Sequence, residues 1–241
     1  MMEPIIAGNW KMYKEPGEAR ALVQELMALA GDVKGRIVIL IPPFTSIPSV
    51  GELIRNSRFK LGAQNMHWER SGAYTGEISG IFLKALGCEY VVIGHSERRH
   101  IMGETNEMTN KKLKTALEIG LIPILCVGEK EGEREAGKTK TVIQRQIDEG
   151  LKDIENEAHK IIFAYEPVWA IGTGKTATPQ QAVEVHKHIR GLLKKPSTIL
   201  YGGSVKPENI DILMKEEEIQ GVLVGGASLK PESFARIIRF H

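Results

Sequence analysis

Short apolar runs recur along this chain with helical patterns between them, and few architectures accommodate that alternation. Residues 5–11, 37–41, 59–64, 89–94, 121–127, 161–165, 198–201 and 221–224 each read as a brief strand, apolar through most of its length. Period-3.6 patterning predicts helices over 15–30, 45–53, 108–119, 182–193, 205–214 and 231–238, with one more running from the charged 129–140 segment to about residue 154. Thr45 or Ser46 is expected to cap the second helix. Between the third and fourth strands a long polar loop is read over 65–77, and no element is assigned to 78–88. Strand and helix alternating to the end of the chain imply a parallel sheet with helical crossovers. Eight repeats match a closed (β/α)8 barrel better than an open doubly wound sheet. The 241 residues also suit one barrel, which typically needs about 250. No linker or composition shift interrupts the chain, so a single domain over 1–241 is expected.

Composition removes several functions. Lys and Arg number 32 against 30 Asp and Glu, a net charge of +2. That balance gives nucleic-acid binding no support, and an anionic substrate must be held by local groups. Cys88 and Cys126 form neither a metal spacing nor a disulfide framework, and fit a reducing compartment. His67, His100 and His186 make no ligand set, so no metal is expected. The first residues lack a basic and apolar leader. No apolar run approaches the ~20 residues of a membrane helix. A soluble, cytoplasmic protein is expected.

The residues at the strand ends carry the chemistry. Asn9 and Lys11 follow the first strand, and His95, Ser96 and Glu97 the fourth. Glu166 follows the sixth, Gly202, Gly203 and Ser204 the seventh, Gly225 and Gly226 the eighth. In a closed barrel these positions converge on one rim. The two Gly-Gly turns let backbone N–H groups approach an anion, with helix N-termini behind them, so they read as a phosphate site. Ser96 is a candidate cap for a short helix. The dipole of that helix would disfavour a charge on His95. Glu166 ends a buried strand at Pro167 and precedes a loop with an apolar middle, 168–171, that suits a lid. By itself Glu166 reads equally well as a solvated turn carboxylate. Cys126 has no adjacent base and reads as a small buried residue. Gly172-Thr173-Gly174-Lys175 lacks the P-loop spacing. The charges at 129–140 read as a solvated helix start.

Six stretches carry a resemblance to a known family. They are Gly8-Asn9-Trp10-Lys11-Met12, Gly94-His95-Ser96-Glu97-Arg98-Arg99, Cys126-Val127-Gly128-Glu129, the run from Ala164 to Ala177, Tyr201-Gly202-Gly203-Ser204-Val205, and Val224-Gly225-Gly226-Ala227-Ser228-Leu229. In this order they resemble the triosephosphate isomerase family across nearly the whole chain. The resemblance implies a TIM barrel that interconverts dihydroxyacetone phosphate and D-glyceraldehyde 3-phosphate without a cofactor, in glycolysis and gluconeogenesis. It implies Glu166 as the base and His95 as a neutral electrophile, roles that general accounts of this enzyme's tuned acid–base pair also describe. Lys11 and Asn9 would hold the substrate oxygens, with Glu97 anchoring Lys11. Gly172, Ser204, Gly225 and Gly226 would donate to phosphate, and residues 167–177 would close over it. The loop from Asn65 past Thr75 to Glu77 implies a homodimer.

Two places depart from the family pattern. The connection over 191–198 is short, which bears on stability or assembly more than on chemistry, and Ile101-Met102 stand where an aromatic residue is often found, so altered packing without loss of activity is expected there. Two rivals remain. Another sugar-phosphate barrel need not keep Lys11, His95 and Glu166 together, and a non-catalytic barrel would lack Glu166 or the lid.

Overall fold

The computed structural model describes residues 3–170 and 176–241. The strands are β1 (Ile5–Asn9), β2 (Ile37–Ile41), β3 (Lys60–Ala63), β4 (Tyr90–Ile93), β5 (Ile122–Val127), β6 (Ile162–Tyr165), β7 (Ile199–Tyr201) and β8 (Gly221–Val224). Each pairs in parallel with the next, and β1 pairs with both β2 and β8, so the sheet closes as a (β/α)8 barrel. The register sets Ile5 beside Ile37 and Gly221, and Tyr165 beside Val127 and Tyr201.

Side chains of one strand alternate between two cores, as the two-residue period of a strand demands. Ile5, Ala7, Ile39, Ile41, Val92, Ile124, Cys126, Ile162, Ala164 and Leu200 pack together inside the barrel. Ile6, Leu40, Val91, Leu125, Phe163, Tyr201 and Val222 face outward into the layer shared with the helices. Burial on both faces is the reason these strands read as continuous apolar runs. The inward series continues past the sheet. On β1 it steps from Ile5 and Ala7 to Asn9, and on β6 from Ile162 and Ala164 to Glu166, so polar side chains take the next step at the C-terminal rim.

The helices are α1 (Pro16–Ala30), α2 (Ile47–Ile54), α3 (Gly80–Ala85), α4 (Ser96–His100), α5 (Asn106–Glu118), α6 (Glu131–Glu135), α7 (Thr139–Gly150), α8 (Pro179–Leu192), α9 (Ile210–Met214) and α10 (Pro231–Ile238). α1 buries Ala19, Leu22, Val23, Leu26 and Ala30 along one stripe. Its start is a capping box, in which the Glu15 carboxylate accepts from the Gly17 and Glu18 N–H groups. α10 packs against α1. Arg36 secures that end by donating to the Ile238 and Phe240 carbonyls and lying 3.7 Å over the Phe240 ring.

Four expectations need correction. Ser46 precedes α2 without capping it, because its hydroxyl donates to the Lys14 carbonyl at 2.8 Å. α3 lies beyond the 65–77 loop, where no element is assigned from sequence; Ser79 caps it by accepting from the Ile81 N–H. The helix expected from the charged segment is broken between α6 and α7, where Gly137 takes φ +66°. α9 begins at Ile210 and not at 205, because the Asn209 side chain accepts from the Lys206 N–H and holds a turn there.

Candidate active site

The strand-end residues line one cleft of about 380 Å³ at the C-terminal rim, bounded by Asn9, Lys11, His95, Glu166, Gly202, Gly203, Ser204, Gly225 and Gly226. Glu97 reaches it through Lys11, whose ammonium lies 2.5 Å from the Glu97 carboxylate. Tyr13, Lys206 and Leu229 also line the cleft. Leu229 ends the stretch that begins at Val224, whereas no motif marks Tyr13 or Lys206 in sequence, and only the path of the rim loops brings those two there. Gly172 lies outside the described residues.

Glu166 is almost fully buried. One carboxylate oxygen accepts from the Ser96 N–H at 2.8 Å and the other lies 2.9 Å from His95 Nε2. Burial raises its pKa, but the His95 ring, the Ser96 N–H and the Lys11 charge together hold it below the ordinary carboxylate range. It is therefore a buried carboxylate held in its ionised form and not a solvated turn residue.

His95 caps α4 itself, in place of Ser96. Its Nδ1 accepts from the Glu97 N–H at 3.2 Å. An accepting Nδ1 leaves the ring proton on Nε2, and the hydrogen-bond network assigns a neutral ring donating to Glu166. Burial opposes a charge on the ring, yet the facing Glu166 carboxylate outweighs burial and raises the affinity for a second proton. The expected lowering by the α4 dipole does not prevail, because α4 is a single short turn and Glu166 is in direct contact.

Lys11 sits at φ +53°, a left-handed conformation rare outside glycine, with its N–H donating to Asn9 Oδ1 at 3.0 Å. That turn brings the lysine back over the barrel mouth. Gly225 leaves room for it, since a Cβ there would lie 3.3 Å from Lys11 Cε. Gly203 has a different reason from the one its sequence implies. A Cβ there would lie 2.2 Å from the Tyr201 hydroxyl, so the residue is glycine to admit that ring. No helix follows at once after β7, because α9 starts only at Ile210. After β8 a 3₁₀ turn, Gly226–Leu229, begins directly at the cleft.

The charged 129–140 segment is not wholly solvated. Glu129 is fully buried, and its Oε1 accepts from Tyr165 Oη at 3.1 Å, Trp169 Nε1 at 3.0 Å and Arg134 Nη1 at 3.0 Å. It ties the segment after Glu166 to the end of β5. Cys126 is buried, and burial pushes its thiol well above the ordinary range, so it offers no thiolate.

Comparison with known proteins agrees with this arrangement. The family model described as triosephosphate isomerase matches residues 4–241. The triosephosphate isomerase of Caldanaerobacter subterraneus subsp. tengcongensis is 53% identical over 249 residues, covering 100% of each chain. That of Dictyoglomus turgidum is 52% identical over 248 residues, covering 99% of this chain and 100% of its own. That of Nostoc punctiforme is 51% identical over 243 residues, covering 100% of this chain and 99% of its own. With the barrel closed, the rim residues gathered in one cleft and the match running the length of the chain, this protein belongs to the triosephosphate isomerase family.

Proposed function

We propose that the chain is an aldose–ketose isomerase interconverting dihydroxyacetone phosphate and D-glyceraldehyde 3-phosphate, in glycolysis and gluconeogenesis, without a cofactor. The observation that carries this is the Glu166 carboxylate held against His95 Nε2 at 2.9 Å in a cleft whose other wall is the two Gly-Gly turns. Glu166 takes a proton from C1 of the ketose, leaving an enediolate, and returns it at C2 to give the aldose. His95 Nε2–H donates to the substrate oxygens and moves a proton between them. The Lys11 ammonium balances the developing oxyanion, with Asn9 beside it and Glu97 holding it. The N–H groups of Ser204, Gly225, Gly226 and Gly172 bind the phosphate, and residues 167–177 close over it and exclude water.

The same reading takes the chain as one domain acting in the cytoplasm, with a triose phosphate and not nucleic acid as its partner. It also takes it as a homodimer through the loop 65–77. Met12 is 93% exposed, Ile101 73% and Met102 63%, and Tyr13, Tyr74 and Phe82 are exposed as well. These apolar side chains, on the loops after β1, β3 and β4 and at the start of α3, suit burial against a second copy.

The test is turnover of glyceraldehyde 3-phosphate by the parent and by Glu166→Asp. Withdrawing the carboxylate by roughly 1 Å should lower kcat about 100-fold or more. An unaffected variant would remove Glu166 from its role. A folded, dimeric parent without turnover would refute the isomerase.

A further inference from the structure

Gln146 belongs to no part of the proposed mechanism, yet the structure gives it a specific task. It is buried on α7 and reaches the turn that follows β5. Its Oε1 accepts from the Gly128 N–H at 2.8 Å and its Nε2 donates to the Gly128 carbonyl at 3.0 Å. One amide thus meets both backbone polar groups of Gly128.

Gly128 is where the backbone after β5 touches the backbone of Glu166. A Cβ on Gly128 would lie 1.7 Å from the Glu166 carbonyl oxygen, so no side chain fits between the two segments. On either side of this contact the segments are laced together. The Glu166 N–H donates to the Val127 carbonyl at 2.8 Å, and the Val168 N–H donates to the Glu129 carbonyl at 3.2 Å. The backbone carrying Glu166 and the start of the lid therefore rests on residues 127–129, and Gln146 holds the middle of that support.

We propose that Gln146 is a positioning residue for the catalytic carboxylate, setting the height of Glu166 in the cleft through the Gly128 backbone. It touches neither substrate nor reacting atoms. The inference rests on Glu166 being the base.

The structure also supplies a control. Asn110 on α5 donates to the Gly150 carbonyl at 2.8 Å and the Lys152 carbonyl at 2.9 Å, at the far end of the same helix. Asn110→Ala removes a similar pair of bonds without touching Gly128. The experiment compares kcat, KM and urea midpoints of the parent, Gln146→Met, Asn110→Ala and Glu166→Asp. Gln146→Met should lower kcat by roughly 10-fold or more with KM within about two-fold, since sub-ångström misplacement of a base acts on the chemical step. Asn110→Ala should lose comparable stability and keep kcat. A Gln146→Met kcat within two-fold of the parent, or an equal loss in Asn110→Ala, overturns the proposal. If Glu166→Asp is also fully active, the base itself is misassigned, which separates the two failures. Should Gln146→Met not fold, Gln146→Glu takes its place. Its carboxylate, ionised at pH 9, accepts from the Gly128 N–H but cannot donate to the Gly128 carbonyl, so kcat at pH 9 should fall by roughly 10-fold or more with KM within about two-fold. Parent-like kcat at pH 9 overturns the proposal.

Discussion

Single residues show how position changes the chemistry of an ordinary side chain. Lys11 reads in sequence as a lone lysine after a strand, and most such lysines are solvated. Its left-handed turn and its 2.5 Å contact with Glu97 make it part of the cleft. Glu97→Gln keeps the shape of the anchor and removes its charge. It should lower kcat/KM between about 10- and 100-fold, in line with the sensitivity of catalysis to small misplacements, and steady-state kinetics would show it. An unchanged kcat/KM would mean that Lys11 holds its place alone. His186 is a second case, buried on α8 with Nδ1 2.9 Å from the Glu218 carbonyl. Burial pushes its pKa from 6.5 down to about 4. The unfolded chain therefore binds the extra proton first. The stabilising contribution is complete above about pH 6.5 and is lost as pH falls toward 4, amounting to about 3 kcal/mol across that window. His186→Asn retains a donor for the Glu218 carbonyl and does not titrate. Its urea midpoint should fall less steeply between pH 7 and 4.5, and parallel profiles would clear His186.

Elements were legible where periodicity and punctuation agreed. The strand centres and α10 stand where the apolar runs put them, since burial on both faces leaves no polar residue to blur the pattern. The misses lie where a local side-chain bond overrides periodicity. Asn209 holds a turn where apolar spacing reads as helix, and Ser79 starts a helix too short for its spacing to be read, just past the polar 65–77 loop. α8 begins at Pro179, ahead of its expected start, and the signal was present. Thr178 precedes Gln181 by three residues with Pro179 between them. The Gln181 N–H donates to the Thr178 hydroxyl at 3.2 Å, and Gln181 Oε1 accepts from the Thr178 N–H at 2.9 Å. This box begins the helix directly after the segment proposed as a lid. Thr178→Ala should lower stability by about 1 kcal/mol in urea unfolding, and a change under a few tenths would mean that packing alone starts the helix.

At the scale of the whole molecule, the exposed apolar side chains at Met12, Tyr74, Ile101 and Met102 lie on the loops after β1, β3 and β4. Ile101 and Met102, where the resemblance leads us to expect altered packing, stand exposed, so they fall on the proposed subunit contact and not in the barrel core. Placing a charge there by Met102→Glu should shift the protein toward monomer in sedimentation velocity at micromolar concentration, because an unpaired charge is costly to bury. A variant sedimenting like the parent would move the interface elsewhere. The short 193–198 connection joins the end of α8 to the start of β7, at the barrel end away from the cleft. What the sequence determined by itself was the alternation of elements, hence the closed parallel barrel, and the rim residues Asn9, Lys11, His95 and Glu166. Both follow from local rules, since burial dictates apolar runs and a strand's end dictates where a polar residue next faces the barrel. Only the tertiary structure decided that Glu166 is buried with its pKa held low, that His95 caps its own helix, that Gly203 makes room for Tyr201, and that Gln146 holds the Gly128 backbone against that of Glu166. Each of these depends on groups distant along the chain, brought within hydrogen-bond or van der Waals range when the sheet closes, and one-dimensional spacing carries no information about such distances.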